Sequence, residues 1–182
     1  LLPATIASVI IFGLQAFILV VVCTASAVLA EWGFQALCKQ KITISDLSAA
    51  VTGLLLALNL PASVTWWQAI IGSVIAVVVV KGLFGGIGKN FANPAITARI
   101  ILLLAFSASV GAAVQPVIVD ATSTATPLTI LKLDYGILPS LFEMMIGLRG
   151  GAIGETCSLA LILGGVYLMI RKVITWHTPV IF

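Results

Sequence analysis

The sequence predicts an all-α integral membrane protein, a polytopic bundle of transmembrane helices of which several are short or broken. Three observations lead to this prediction. Of the 182 residues, 61% are hydrophobic and only 8% are charged, whereas a soluble domain carries about 25% charged residues. The apolar residues form long runs, and glycine or proline interrupts several of them. Too few polar groups remain to cover a globule in water, so the expected solvent is lipid.

The first half of the chain contains three apolar runs. Residues 3–30 carry no charge and are long enough to cross a hydrocarbon core of about 30 Å. After a polar stretch at 31–46, residues 47–60 form a run of 14 residues that spans ~21 Å as a helix and ends at Pro61. Residues 68–80 are rich in β-branched side chains, but we expect a helix because an isolated strand leaves its backbone unsatisfied in lipid.

The second half begins with a break. Residues 81–94 contain four glycines and one proline, which interrupt any helix. Residues 95–110 form another short apolar run, and residues 111–139 form a long loop. Residues 141–148 are too few to span the membrane, while residues 152–170 form the last predicted span.

The basic residues set the predicted orientation. If the first span ends in the cytoplasm, alternate crossings bring six basic residues to the cytoplasmic side: Lys39, Lys41, Lys81, Lys89, Arg171 and Lys172. This arrangement satisfies the positive-inside rule provided that residues 141–148 do not cross. The loop at 111–139 is then extracytoplasmic. The tryptophans, including Trp66 and Trp67, fit an interfacial belt.

Composition also excludes several classes of site. The chain carries no basic stripe typical of nucleic-acid binding. Its three cysteines form no C-x-x-C pair, so we expect no iron–sulfur or zinc site from this chain alone, and no residue that is catalytic by itself.

We expect one integral membrane domain over residues 1–182. Because Leu1 and Phe182 both lie in apolar runs, we also expect a fragment of a longer subunit.

An internal repeat links two parts of the chain. Ile-Ser-Asp-Leu at 44–47 matches Ile-Gly-Glu-Thr at 153–156, and Val-Thr-Trp-Trp at 64–67 matches Ile-Thr-Trp-His at 174–177. The acid precedes the tryptophan by 20 residues in the first copy and by 21 in the second. The predicted orientation starts one copy inside and the other outside, so the repeat is inverted, as in many transporters. Chance similarity between two apolar helix starts is the alternative.

Asp46 and Glu155, one in each copy of the repeat, precede apolar runs. An acid at a helix start interacts favourably with the positive end of the helix dipole, so capping alone explains both residues. Acids at related points of membrane entry also suit the binding of Na⁺ or the relay of protons. Asp46 and Glu155 are therefore capping residues that are also candidates for an ion pathway.

Residues 120–128 read Asp-Ala-Thr-Ser-Thr-Ala-Thr-Pro-Leu, a hydroxyl-rich island in an apolar chain. An ordinary external loop rich in serine and threonine is one interpretation. The other is an acceptor for a phosphoester. Thr126, with the small Ala125 beside it, suits such a bond, and Asp120 would help to hold the Mg²⁺ that neutralises a diphosphate during transfer.

The island resembles the pattern Asp-x-x-[Ser/Thr]-x-Ala-Thr, by which certain membrane flavoproteins accept FMN covalently. Four residues fill this pattern: Asp120, Ser123, Ala125 and Thr126. Residues 84–95 resemble the "GG-x-G-x-N…NPA" loop of the same proteins. Thr-Gly-Leu-Leu-Leu-Ala-Leu at 52–58 and Trp-His-Thr-Pro at 176–179 fit as well.

From about residue 2 to residue 182 the chain thus resembles one family of membrane subunits. The family comprises the D subunit of the Rnf ion-translocating ferredoxin:NAD⁺ oxidoreductase and the B subunit of the sodium-pumping NADH:quinone reductase. The short loop and the Thr-Pro-Leu after the acceptor look more like the Rnf member. Thr124 departs from the pattern, because many relatives carry glycine there, and the bulkier residue would slow flavin transfer.

The resemblance implies a flavoprotein subunit of a translocase in a bacterial or archaeal cytoplasmic membrane. FMN would be attached to Thr126 through a phosphoester and pass single electrons between ferredoxin and NAD⁺. It also implicates Asn90 and Asn93 in holding a second, non-covalent flavin. Arg149 would pair with a flavin phosphate or carbonyl, although an interfacial arginine whose charged end reaches water is the simpler account.

The implied partners are membrane lipid, a flavin transferase for maturation, and other subunits of the complex that carry iron–sulfur clusters and FMN. Three alternatives stay open: a quinone-reducing sodium-pump subunit, a non-redox channel or carrier, and a structural scaffold within a complex. An inverted repeat with broken helices suits permeation as well as electron transfer.

Overall fold

The computed structural model describes residues 1–112, 127–133, 140–147, 150–155 and 157–177. Within these ranges the fold is all-α, with no strand. Its helices are α1 (Leu2–Phe12), α2 (Leu14–Leu37), α3 (Ser48–Asn59), α4 (Trp66–Val74), α5 (Pro94–Ala105), α6 (Ser107–Val110), α7 (Pro127–Leu133), α8 (Leu141–Ile146) and α9 (Ser158–Ile170). A 3₁₀ turn at Ile44–Asp46 precedes α3, and a π-helix at Ile75–Gly82 continues α4. The all-α prediction is confirmed for these parts of the chain.

The first predicted span is two helices rather than one. Gly13 separates α1 from α2 with a φ of 68°, a left-handed conformation that glycine adopts without strain, and its amide donates to Val9 O at 2.9 Å. The prediction of one span over residues 3–30 was therefore wrong. Among the described residues, α2 is the one helix that is both long and apolar enough to cross a membrane; five other apolar helices are shorter.

Helices α2 to α5 pack as an antiparallel bundle with two distinct ends. One end, here named the lysine end, carries every lysine of residues 1–112: Lys39, Lys41, Lys81 and Lys89. There the C-terminal part of α2 meets the start of α3 and the end of the π-helix. The start of α5 lines a cavity together with the start of α3 and the end of the π-helix.

The opposite end, here named the tryptophan end, is built from apolar and hydroxyl side chains. Trp67 at the start of α4 packs edge-to-face on Phe106 after α5, with ring centroids 5.1 Å apart. Ser63 Oγ donates to Ser109 O at 2.6 Å, and Gln15 Nε2 donates to Val64 O at 3.4 Å. These contacts bring the beginning of α2 and the end of α5 to the same side of the bundle.

A close approach of α2 and α3 sets the centre of the core. A Cβ on Gly53 would lie 2.5 Å from Cys23 O and 2.8 Å from the Ala27 side chain. Only glycine permits this spacing, as in many packed membrane helices. Leu19, Leu56 and Leu102 lie fully buried around the contact.

The segment before α9 joins the bundle through the C-terminal end of α3. The amides of Ile153 and Gly154 donate to Leu60 O at 3.0 Å and to Leu58 O at 2.8 Å. They satisfy carbonyl groups that the end of a helix leaves without an intrahelical partner. Helix α3 starts at the lysine end, whereas the segment leading into α9 starts at the far end of α3, which is the geometry that an inverted repeat requires. The repeat itself stays a prediction.

Helix α8 is six residues long, in agreement with the prediction that this run does not span. Ser140 and Glu143 cap its start reciprocally: Glu143 N donates to Ser140 Oγ at 3.3 Å, and Ser140 N donates to Glu143 Oε2 at 2.7 Å. The backbone and side-chain hydrogen bonds from Ser140 lower the pKa of Glu143. Glu143 is therefore a capping residue.

The helix contact at Gly53 yields a stability prediction. Gly53→Ala places a methyl group against backbone of α2, so we expect a loss of about 1–3 kcal/mol, as for other overpacked cores. Gly33→Ala in α2 is the matched control, because no atom lies within 4 Å of its added Cβ and helix propensity alone favours alanine by about 0.5–1 kcal/mol. Thermal unfolding in detergent measures both. Equal behaviour of the two variants would contradict the packing.

Candidate functional site

A buried ion pair lies at the lysine end of the bundle. Lys81 Nζ donates to Glu31 Oε1 at 2.5 Å and to Ser48 Oγ at 2.5 Å. Both charged residues are only 4% exposed. Buried charges persist in apolar surroundings when they are paired and hydrogen-bonded. The pair therefore ties α2 to the π-helix that continues α4, and Ser48 adds α3 to the same contact.

The π-helix explains how Lys81 reaches this position. Over Ile75–Gly82 the helix widens, and the amide of Leu83 donates to Val78 O, five residues back, at 3.0 Å. Such segments are rare and occur frequently at functional sites. The wider turn rotates its residues relative to a continuous α-helix. Lys81 thereby faces Glu31, which lies almost two turns before the end of α2 at Leu37.

A cavity of about 320 Å³ opens beside the pair at the lysine end. Its lining combines two acids, two lysines and glycine backbone: Glu31, Asp46, Lys41, Lys81, Gly85 and Gly86. Glu31 Oε2 is buried and, among the described residues, has no hydrogen-bond partner. One oxygen of this carboxylate is thus held by Lys81, and the other is available to a donor or a cation.

A smaller cavity of about 180 Å³ lies on the other side of Lys81. Ser48 and Thr52 of α3 line it, together with Asn90, Asn93 and the first residues of α5. Asn90 Oδ1 is buried without a hydrogen-bond partner in the described part of the chain. Two helix N-termini therefore point partial positive charge toward this cavity, and an unused amide oxygen adds an acceptor.

Asn93 has a structural role in this wall. Its side-chain oxygen accepts from Ala95 N at 3.1 Å and from Ile96 N at 3.3 Å, and so caps α5. Pro94 follows at the first helical position, where its missing amide hydrogen costs nothing. The Asn-Pro-Ala sequence is therefore a helix start that also forms one wall of the smaller cavity.

The glycine-rich loop contributes to the walls of both cavities. Ile87 lines both of them, as does Lys81. Gly85 and Gly86 adopt φ angles of 97° and 90°, which side chains other than glycine rarely accept. The rings of Phe84 and Phe91 pack on each other with centroids 4.7 Å apart. The loop is therefore part of the wall of both cavities, with a backbone that requires glycine.

Asp46 lies at the rim of the larger cavity and is largely exposed. Its Oδ1 accepts from Ser48 N at 2.7 Å, just before α3 begins. The side-chain and backbone hydrogen bonds with Ser48 hold the pKa of Asp46 below its ordinary value of 3.8, and the charge of Lys81 adds to the shift. The capping role predicted for Asp46 is observed.

The structure brings together only some of the residues that the sequence singled out. Asn90, Asn93 and Asp46 line the two cavities at the lysine end, whereas Glu155 follows Gly154 at the far end of α3. Five predicted site residues lie outside the described part of the chain: Asp120, Ser123, Ala125, Thr126 and Arg149.

Sequence reasoning missed Glu31 and Lys81 as a site. The sequence pattern puts Glu31 at the start of a polar connection and Lys81 at the start of a loop, but both are buried and paired. One signal was available, since each ends a long run without charge. An ionisable residue at the edge of an apolar span is a candidate functional residue with an expected partner.

The fold and the site define a strongly apolar α-helical protein with a charged, cavity-lined site at one end. The sequence model of the NQR2, RnfD, RnfE family matches residues 1–182, so the chain belongs to this family. The resemblance stated from the sequence motifs is thereby confirmed.

Three relatives illustrate the similarity. The chain is 44% identical over 185 residues to the D subunit of the Na(+)-translocating ferredoxin:NAD(+) oxidoreductase complex of Acetobacterium woodii. It is 37% identical over 192 residues to the D subunit of the proton-translocating ferredoxin:NAD(+) oxidoreductase complex of Clostridium ljungdahlii. It is 31% identical over 219 residues to the D subunit of the ion-translocating oxidoreductase complex of Escherichia coli. These matches cover 99–100% of this chain and 58–62% of the relatives, so the chain spans about three fifths of their length.

The buried ion pair predicts a non-additive pattern of stability. Glu31→Gln or Lys81→Met alone leaves a buried charge without a partner, and we expect each to cost about 3–5 kcal/mol. Glu31→Gln with Lys81→Met removes both charges, so its cost is smaller than the sum of the two single losses. The free energies of unfolding of the parent, the two single variants and the double variant, measured in detergent, complete the double-mutant cycle. Lys89→Met, which changes an exposed lysine, is the control. Additive losses would contradict the pairing.

The cap at Asp46 predicts a pH-dependent contribution. Because the pKa of Asp46 in the folded protein lies below 3.8, the stabilisation is complete above that value and is lost as the pH falls through the folded-state pKa. Asp46→Ala should cost about 0.5–1.5 kcal/mol at neutral pH, with a difference from the parent that shrinks in acid. Asp46→Asn keeps an acceptor and is the control without a titrating charge. Melting temperatures measured from neutral to acid pH test the effect, and a pH-independent difference would contradict it.

Proposed function

We propose that this chain is the flavin-bearing membrane subunit of a redox-driven ion pump, with FMN attached to Thr126. The observation that carries the proposal is the sequence of residues 120–126, which fills the flavinylation pattern through Asp120, Ser123, Ala125 and Thr126. Membership of the NQR2, RnfD, RnfE family supports it. The flavin would supply one-electron chemistry, and the protein would position it and adjust its potential.

The position of the flanking elements supports an acceptor loop on the extracytoplasmic side. Ser109, just before the loop, bonds to Ser63 at the tryptophan end, and Ile153, after it, bonds to Leu60 at the end of α3. All lysines of residues 1–112 lie at the other end, which is the cytoplasmic end under the positive-inside rule. A flavin transferase acting outside the cytoplasm would then have access to Thr126.

The smaller cavity supports a second, non-covalent flavin near Asn90 and Asn93. The buried Asn90 Oδ1 suits the ring N–H of a flavin, and the Lys81 ammonium, which has one N–H beyond those donated to Glu31 and Ser48, suits a carbonyl oxygen. At about 180 Å³ the cavity is smaller than a typical whole-ligand site. The cavity therefore suits one edge of a flavin ring rather than a complete flavin.

We propose ferredoxin and NAD⁺ as the couple of the assembled complex, because the relatives from Acetobacterium and Clostridium carry that description. Other subunits would supply the iron–sulfur clusters and the nucleotide site. The same two relatives are described as translocating different ions, Na⁺ and protons. Asp46 at the lysine end and Glu155 at the far end of α3 are the proposed points where an ion path begins and ends.

Two competing functions make different predictions. A quinone-reducing subunit would carry the same covalent flavin but would reduce quinone in the assembled complex. A channel or carrier without redox function would pass ions and carry no flavin at all. The covalent flavin therefore separates the redox proposals from permeation.

Denaturing gel electrophoresis tests the proposal that a flavin is bound covalently. The protein is co-expressed with a flavin transferase, denatured and separated, and in-gel flavin fluorescence is recorded. We expect fluorescence in the parent and none in Thr126→Val, because the mutant lacks the hydroxyl that forms the phosphoester. Thr124→Gly is the matched control, which should label at least as fast as the parent. A parent without fluorescence would overturn the proposal. Fluorescence in Thr126→Val would show that the flavin is attached to a different residue.

A further inference from the structure

The larger cavity at the lysine end carries charged groups at two depths. At its inner wall, Glu31 is 4% exposed, and its Oε2 atom is buried without a hydrogen-bond partner among the described residues. At its mouth, the exposed side chains of Lys41 and Asp46 line the same space. Lys81, whose ammonium donates to Glu31 Oε1 and Ser48 Oγ, completes the charged lining. The cavity therefore offers an unused acceptor inside and a lysine at the mouth.

These groups match a ligand that carries both signs of charge. The charged side chains of the lining are two acids and two lysines, so a bare cation or a bare anion would add net charge to a partly buried space. A zwitterion with an ammonium and a phosphate adds none. Its ammonium would donate to Glu31 Oε2, and its phosphate would accept from Lys41, each through a charge-assisted hydrogen bond.

The place of the cavity in the fold favours a lipid over a soluble zwitterion. Helix α2 is long and apolar enough to cross a membrane, and Glu31 lies about 9 Å before its end at Leu37. Large apolar side chains are exposed beside the mouth, since Ile87 lines it and Leu83 and Phe84 precede it on the same loop. A phosphate at this level lies in the headgroup region, and acyl chains would cover the apolar side chains.

We propose that the larger cavity binds the headgroup of phosphatidylethanolamine from the leaflet at the lysine end. The lipid ammonium reaches Glu31 Oε2, the phosphate lies at Lys41, and the acyl chains lie against the glycine-rich loop. The volume of about 320 Å³ is within the range of ligand sites and accommodates an aminoethyl phosphate group. Phosphatidylcholine carries the same charges, but its trimethylammonium has no N–H and leaves Glu31 Oε2 unsatisfied. The site requires no flavin, so it succeeds or fails separately from the proposed function.

Lipid retention measures this selectivity. The assembled complex, with the subunit at full length, is placed in nanodiscs that contain equal amounts of phosphatidylethanolamine and phosphatidylcholine. It is then released into detergent, and native mass spectrometry counts the phospholipids that stay bound. We expect the parent to retain one phosphatidylethanolamine in preference to phosphatidylcholine, by about ten-fold or more, as one charge-assisted hydrogen bond provides.

Three variants assign the retained lipid to the cavity. Glu31→Gln with Lys81→Met removes the negative acceptor without leaving an unpaired buried charge, so the preference for phosphatidylethanolamine should be lost. Lys41→Met should lower retention of both lipids without changing their ratio, because both carry the phosphate. Lys41 is exposed, so this variant does not depend on the buried pair tolerating substitution. Lys39→Met changes an exposed lysine outside the cavity lining and should behave as the parent.

Three results would overturn the inference. The parent could retain the two lipids equally, or the double variant could keep the preference of the parent. In the third case, soluble phosphoethanolamine, added during release at the concentration of the lipid, displaces the retained phosphatidylethanolamine. That displacement would show that the acyl chains contribute nothing and that the occupant is a soluble zwitterion. We expect no displacement at this concentration.

Discussion

The buried pair of Glu31 and Lys81 is the constraint on which the arrangement of the lysine end depends. An isolated charge in an apolar bundle is expensive, and neither residue is tolerable there without the other. Their contact fixes the rotation of the π-helix relative to α2, and the bond to Ser48 fixes the start of α3. The two cavities then lie on either side of Lys81 because these three elements meet there.

The same contact explains why the glycine-rich loop follows where it does. The chain leaves the π-helix directly after Lys81 and must turn to enter α5, which begins at the Asn93 cap. Gly85 and Gly86 make that turn with positive φ angles. A helix that ended in regular α geometry would turn Lys81 away from Glu31 and shift this loop with it. The site is therefore assembled from backbone geometry as much as from side chains.

At the tryptophan end, the packing satisfies backbone hydrogen bonds at the end of α3. The end of α3 exposes carbonyl groups inside the bundle, and the amides of Ile153 and Gly154 satisfy them. A Cβ on Gly154 would lie 2.6 Å from the Leu58 side chain, so glycine is required for this approach. The flanks of the proposed flavin loop are tied to the tryptophan end, far from the charged cavities.

The sequence by itself determined the all-α class, the apolar runs and the acid Asp46 at a helix start, because these follow from local rules. Hydrophobic run length, capping side chains and proline positions act within a few residues of one another. The family motifs were also readable, because they are continuous in the chain. The break at Gly13 was missed, since a single glycine inside an apolar run carries no distinctive local pattern.

Only the tertiary structure decided that Glu31 and Lys81, 50 positions apart, form one buried pair. It also decided that Asn90, Thr52 and Ser48 share a cavity, and that Gly53 lets α2 and α3 approach closely. The physical reason is that pairing and cavity formation depend on helix rotation and crossing, which hydropathy does not encode. The π-helix is an example, because its widened geometry turns Lys81 toward Glu31, and nothing in the local sequence indicates that geometry.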